Sequence, residues 1–236
     1  MRSNTYTLIF TSLITIFLGF ILSYAATALK PRQDINVEID MKKNILTALG
    51  IQPKKSDKWS IEEVQEVYET SIRGIVLNKN GHKTNKDPKN IDAEKDNQFF
   101  PIYLHKVNGE TNGYVIPISG KGLWSTLYGY FAIDMDCKTA KGITFYKHGE
   151  TPGLGGEVEK PWFRDNFVGK KFVDENNILV GIEVLKGSVD ETSKESYRQV
   201  DGISGATITS KGLEDFLLQD LKKYEPYFKN NWGMIN

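Results

Sequence analysis

The hydrophobic pattern begins with a long apolar stretch. Between Thr5 and Leu29 there is no charged residue, and Leu, Ile, Phe, Ala and Thr dominate. At about 1.5 Å rise per residue, about 25 residues make a helix of roughly 37 Å, against a hydrocarbon core of about 30 Å. The pattern therefore predicts one transmembrane helix over 5–29. Ala26-Thr27-Ala28 has the form of a signal cleavage site, but the stretch is far longer than the roughly 7–15 apolar residues of a signal peptide, and only Arg2 stands ahead of it. The reading is an uncleaved anchor. Lys30, Arg32, Lys42 and Lys43 follow it, and a bare positive-inside count would leave the large domain in the cytoplasm.

Past Pro31 the pattern changes to short alternating and helical runs, which predict a single α+β domain over 31–236. Ile45, Leu46 and Leu49 have helical spacing within Met41–Ile51, and Ser60-Ile-Glu-Glu63 is a capping-box start for a helix through about Ser71. Residues 78–97 are rich in Lys, Asn and Asp and read as a solvated, charged insertion. Strands are predicted at Phe99–Val107 and Tyr114–Ile118, joined through Asn108-Gly109 and Asn112-Gly113, then at Tyr128–Met135, Gly142–Tyr146 and Ile178–Leu185. Strands in series with helices at both ends favour an antiparallel-rich sheet over a doubly wound one.

Composition narrows the function. The chain of 236 residues carries 30 Lys+Arg and 30 Asp+Glu, for a formal charge of zero, and 39% of it is hydrophobic. That excludes a global basic field, so no nucleic-acid partner is expected, and it excludes a disordered solvating chain. The single cysteine, Cys137, cannot form an internal disulfide, and with three histidines it offers little for a zinc site.

Two glycine-rich segments carry candidate chemistry. In Asp201-Gly-Ile-Ser-Gly-Ala-Thr-Ile-Thr-Ser210, the small residues Ser204, Gly205 and Ala206 permit close approach of a ligand, and hydroxyls stand at Thr207, Thr209 and Ser210. Leu213, Phe216, Leu217, Leu221 and Tyr224 then repeat at helical spacing, which makes Thr209 or Ser210 the expected N-cap. A loop running into a helix N-terminus suits an anion, and Lys211 adds a positive charge nearby. On the residues alone, a capped helix after a tight turn is the competing reading. The second segment, Lys147 to Gly156, fails as a dinucleotide fingerprint because Val158 occupies a glycine position and Thr151-Pro152 reads as a turn. By itself it is a packed Gly/Pro turn, and His148 within it reads first as a structural histidine. Trp124, in Gly120-Lys-Gly-Leu-Trp124, is either a core residue or the wall of a flat ligand.

These motifs together resemble the FMN-binding domain family. In that family an acidic residue precedes Ser/Thr-Gly-Ala-Thr, and the last threonine is esterified to the phosphate of FMN. Here the acidic position is Asp201, the small run is Ser204-Gly205-Ala206, and the acceptor is Thr207. The resemblance implies that the Glu-Thr-Pro-Gly-Leu-Gly loop (Glu150, Thr151, Gly153, Leu154 and Gly155) lies beside the isoalloxazine ring, with Leu123 and Trp124 of the Gly-Leu-Trp turn near it. The anchor ending at Leu29-Lys-Pro31, the Lys42–Leu46 helix and the order of the three loops extend the likeness to nearly the whole chain. They resemble the C subunits of the sodium-pumping NADH:quinone oxidoreductases. The resemblance implies a covalent-FMN electron carrier in a bacterial inner-membrane complex, matured by a flavin transferase, with its large domain outside the cytoplasm. It implies no residue acting on a freely diffusing substrate. The G subunit of the Rnf-type ferredoxin:NAD oxidoreductases shares the anchor and motifs but usually lacks the charged insertion. A membrane-anchored adaptor without cofactor is the alternative from another class.

Overall fold

The computed structural model describes residues 3–54 and 58–231; Arg2, ahead of the apolar stretch, lies outside them. Two units are distinct, 1–41 and 42–236.

The first unit is helical. Helix α1 covers Asn4–Ala48, with Pro31 inside it, and its apolar part has mean hydropathy 2.1 and is long enough to cross a membrane. The sequence pattern placed the end of this helix before Pro31. Proline removes one i→i−4 hydrogen bond, yet the helix continues through it, and Lys30 pairs with Asp34 one turn apart at 2.8 Å. The predicted helix at Met41–Ile51 is accordingly the last turns of α1 and belongs, from Lys42 onward, to the second unit.

The second unit is built on a six-stranded antiparallel sheet. Helix α2 (Ile61–Ser71) leads directly into β1 (Ile72–Asn78), and β2 (Lys83–Thr84) turns back along it. Next come β3 (Phe99–Val107), β4 (Glu110–Lys121), β5 (Thr126–Ile133) and β6 (Ala140–Lys147), in spatial order β2-β1-β3-β4-β5-β6. After β6 the chain makes short helical turns, including α3 (Pro161–Arg164), and a two-residue parallel pairing of β7 (Glu183–Val184) with β8 (Gln199–Val200). Helix α4 (Thr207–Asn231) closes the fold.

The sheet is buried on both faces, with alternate residues serving different cores. Ile102, Leu104, Tyr114, Ile116, Phe131 and Ile133 enter a cluster with Leu213, Leu217, Leu221, Tyr224 and Phe228 of α4. Tyr224 adds a buried hydrogen bond from its hydroxyl to the carbonyl of Pro101, at 2.8 Å. Thr144 points to the other face, where its hydroxyl donates to the carbonyl of Asn44 at 3.3 Å.

Several local expectations hold, and others are corrected. Ser60 is the N-cap of α2, its hydroxyl accepting from Glu63 N–H at 3.2 Å, while the Glu63 carboxylate accepts from Lys54 N–H at 2.7 Å. Ser60→Ala is expected to cost about 1 kcal/mol, read as a lower denaturant midpoint at constant slope; an unchanged midpoint would show the cap to be idle. The β3–β4 turn is Asn108-Gly109 alone, both at positive φ (52° and 87°), as a two-residue hairpin loop requires. Asn112-Gly113 lies inside β4, where Gly113 at φ 152° pairs with His105 beside a register shift. The predicted strand Ile178–Leu185 contracts to Glu183–Val184. The residues before it are held by single contacts, with Val173 bridging Leu179 and the Val180 and Gly181 N–H groups both donating to Phe172 O. The charged insertion is structured in part. It contains β2 and a 3₁₀ turn at Pro88–Asn90, and the Glu94 carboxylate accepts from the Tyr128 hydroxyl at 3.0 Å.

Candidate functional site

Helix α4 begins at Thr207, two residues before the earliest expected N-cap. The Ser210 N–H already donates to Ala206 O at 2.9 Å, so Thr209 and Ser210 lie inside the first turn and are buried. The expected cap is wrong because Gly205, at φ 74°, turns the chain sharply enough for the helix to start at once. Thr207 and Ile208 face solvent, while Thr209 turns inward. The one motif therefore presents one hydroxyl outward and another into the protein.

Three separated segments meet at this helix start. The carboxylate of Glu150, which is only 5% exposed, accepts from the backbone N–H groups of Trp124 (2.9 Å), Ser125 (3.1 Å) and Leu123 (3.3 Å), and from the Thr209 hydroxyl (2.7 Å). Burial pushes the Glu150 pKa up, but the bonds from Thr209 and the three N–H groups outweigh it, and the net shift is downward. The loop after Glu150 folds back through Thr151 O, which accepts from the N–H groups of Leu154 and Gly156. Leu154 is thereby set against Gly205, where a Cβ would stand 2.8 Å from its Cδ2.

A groove of about 600 Å³ runs between the end of β4 and the first turns of α4, lined by Gly120, Lys121, Gly122, Thr207, Ile208 and Lys211 among others. At the same corner Trp124 is 68% exposed, and Leu123 and Leu154 are also exposed. Trp124 is therefore not a core residue. It stands free while its backbone is pinned, which suits the wall of a flat ligand.

The remaining sequence candidates divide. Lys211 lines the groove, but its ammonium is shared with Glu214 (2.6 Å) and Asp215 (3.2 Å) along its own helix, so it is less available to an anion than its position in the sequence suggested. The Asp201 carboxylate accepts from Val189 N–H at 2.7 Å and thus fixes the approach to the motif. His148 accepts from Glu150 N–H through Nδ1 (3.3 Å), and its Nε2 lies 3.4 Å from Glu159, a structural placement. Cys137 is buried, and burial raises its thiol pKa to about 12, which leaves no reactive thiolate at neutral pH. Among the described residues no cluster of three or more His, Cys, Asp or Glu side chains could hold a metal. Sequence reasoning missed Thr209, a partner of Glu150 and not a cap, and Asp220. The latter is buried with its pKa raised by that burial, and it accepts from Ser119 N–H (2.8 Å) and Lys223 (2.6 Å), tying α4 to β4 below the groove. Its spacing from Leu213, Leu217 and Tyr224 puts position 220 on the buried face of the helix, so the periodicity held the signal and only the acidic residue type argued for exposure.

These residues fit an FMN. An outward hydroxyl stands at the N-terminus of a long helix, and the groove beside it is lined by Gly120, Gly122 and Gly212 and by the exposed apolar side chain of Ile208. Residues 122–221 match the FMN-binding domain family, so the fold and site define a protein of the FMN-binding domain class. The C subunit of the Na(+)-translocating NADH-quinone reductase of Pseudomonas aeruginosa is 35% identical over 92% of this chain and 90% of its own length. That of Haemophilus ducreyi is 35% identical over 86% and 84%. The solved structure of the same reductase component from Parabacteroides distasonis superposes with a TM-score of 0.74 at 32% identity, covering 85% of this chain and 96% of that one. Shewanella oneidensis NqrC has a TM-score of 0.68 at 24% identity, a likeness of fold. The chain belongs to the family formed by the C subunits of the Na(+)-translocating NADH-quinone reductases.

Proposed function

We propose that this chain carries FMN covalently on Thr207 and serves as an electron carrier in a membrane NADH:quinone reductase that exports sodium. The observation that carries the reading is the placement of Thr207: an exposed residue at the start of α4 that opens on the groove, next to Gly205, against which Leu154 is set. In the attachment step the Thr207 oxygen bonds to the phosphorus of the FMN half of FAD. The bond from that phosphorus to the AMP oxygen breaks, AMP leaves, and the hydroxyl proton passes to a base of the transferase. No redox change is involved. Gly205 and Ala206 leave room for the phosphate, and N–H groups at the start of α4 favour its charge. With FMN bound, Leu123, Trp124 and Leu154 would offer their exposed apolar side chains as a wall for the ring. When bound, FMN supplies the reversible electron transfer, and the chain sets its position and surroundings. The apolar part of α1 anchors the chain among the other subunits, and the domain lies on the extracytoplasmic side, where a covalent bond prevents loss of the cofactor.

The test is co-expression with a flavin transferase followed by denaturing electrophoresis. The wild-type band should fluoresce under ultraviolet light, and Thr207→Ala should abolish the fluorescence while the chain remains folded. A colourless wild type, or an equally fluorescent Thr207→Ala, would refute covalent attachment at this residue.

A further inference from the structure

We infer that Glu150 is a positioning residue whose carboxylate couples the Leu123–Ser125 turn to the first turn of α4, making the wall of the site and its acceptor threonine one mechanical unit. The inference rests on the reading of Thr207 as the attachment point, although its first test does not require any flavin.

Both oxygens of the carboxylate are engaged, and each contact is with a donor from another part of the chain. Oε1 takes the N–H groups of Trp124 and Ser125, and Oε2 takes Leu123 N–H and the Thr209 hydroxyl. Among the described residues Glu150 forms no ion pair, so four hydrogen bonds alone hold the charge. An ionised acceptor makes each of them stronger than a neutral one would be. Two glycines of the motifs are explained by the same group. A Cβ at Gly122 would stand 2.7 Å from Oε1, and a Cβ at Gly155 would stand 2.7 Å from Oε2 and 2.6 Å from the Thr209 hydroxyl. The packing assigns them to the carboxylate, which could not reach its donors past a side chain.

The consequence is a linkage between parts that are otherwise independent. Leu123 and Trp124 lie in the turn between β4 and β5, whose side chains are exposed and which has Glu150 as the acceptor for three consecutive N–H groups. Thr209 is two residues from Thr207, on the opposite side of the same helical turn. Movement of α4 is thereby passed to the Trp124 wall through one side chain, and the two surfaces that meet the cofactor keep a fixed separation.

The experiment measures amide hydrogen exchange at residues 123–125 in the full chain without cofactor, in wild type, Glu150→Gln, Thr209→Val and Thr209→Ser. Glu150→Gln should accelerate exchange at these amides about tenfold or more, because the amide group replaces one acceptor by a donor. Thr209→Val leaves the three N–H groups their acceptor, yet should accelerate the same amides several-fold, since it frees the carboxylate from α4; Thr209→Ser should restore wild-type rates. Unchanged exchange at 123–125 in Thr209→Val would overturn the coupling, as would acceleration in Thr209→Ser equal to that in Thr209→Val. In the flavin-loaded chain, Glu150→Gln should alter the visible circular dichroism of the flavin; an identical spectrum would count against the proposal. If wild type never takes flavin, the reading of Thr207 fails, and the exchange results still decide the role of Glu150.

Discussion

Gly212→Ala is expected to destabilise the domain and to depress flavin loading, although in an isolated helix the same change would help. Alanine is about 1 kcal/mol better than glycine in a helix interior. Gly212, however, sits in the second turn of α4 where the helix crosses the end of β4, and a Cβ there would overlap the backbone carbonyl oxygen of Lys121. Backbone cannot rotate aside as a flexible side chain can. Overpacking of this kind costs about 1–3 kcal/mol and occasionally more, so it exceeds the gain in propensity. The neighbouring Gly120 meets the Phe216 side chain in the same crossing, so the helix has no slack on that side. Relief must come from α4 lifting away from Lys121 and Gly122, which line the groove with Thr207. The measured outcome should be a lower denaturant midpoint together with slower flavin attachment. A Gly212→Ala chain that is more stable than wild type and loads flavin normally would show that the helix and strand are not in fixed contact.

Phe131→Ala is the second large effect, and it separates stability from chemistry. Phe131 lies on β5 and is fully buried, between the sheet and the segment that carries Phe172, with ring centroids 6.0 Å apart. Its removal deletes a large apolar side chain and leaves a cavity that strand pairing on both sides prevents from collapsing: Phe131 is in register with Ile116 of β4 and Ile143 of β6. The expected cost is about 3–5 kcal/mol, a large part of the roughly 5–15 kcal/mol that stabilises a typical domain. Because Phe131 lies away from the groove, chains that remain folded at low temperature should still take flavin on Thr207. Calorimetry and fluorescence of the denatured band measure the two quantities separately. A loss below about 1 kcal/mol would mean that the core repacks around the gap.

The sequence was most legible where a signal is local. The apolar run of α1, the Ser60 cap, the Asn108-Gly109 turn and the strand run of β3 are each carried by neighbouring residues, and each occurs in the structure. It was misleading where a local signal competed with distant packing. Hydroxyls at Thr209 and Ser210 look like caps, but α4 has already begun, and Thr209 is turned to Glu150 59 positions earlier. The apolar run at 178–185 looks like one strand, but only Glu183–Val184 pairs as a strand, with β8, while Leu179 makes an isolated bridge to Val173. Lys211 looks like a phosphate ligand until the i+3 and i+4 carboxylates of its own helix are seen to claim it.

The sequence by itself determined the long apolar helix, the α+β class, the order of the three loops and the motif through Thr207, because hydrophobic periodicity, turn chemistry and a contiguous motif are all written in adjacent residues. Only the tertiary structure decided that the three loops converge on one carboxylate, that Trp124 is exposed while its backbone is held, and that Gly122 and Gly155 are spaces for Glu150. Those facts depend on contacts between residues 25 to 59 positions apart. Each such contact requires the end of β4, the end of β6 and the start of α4 to lie at the same corner.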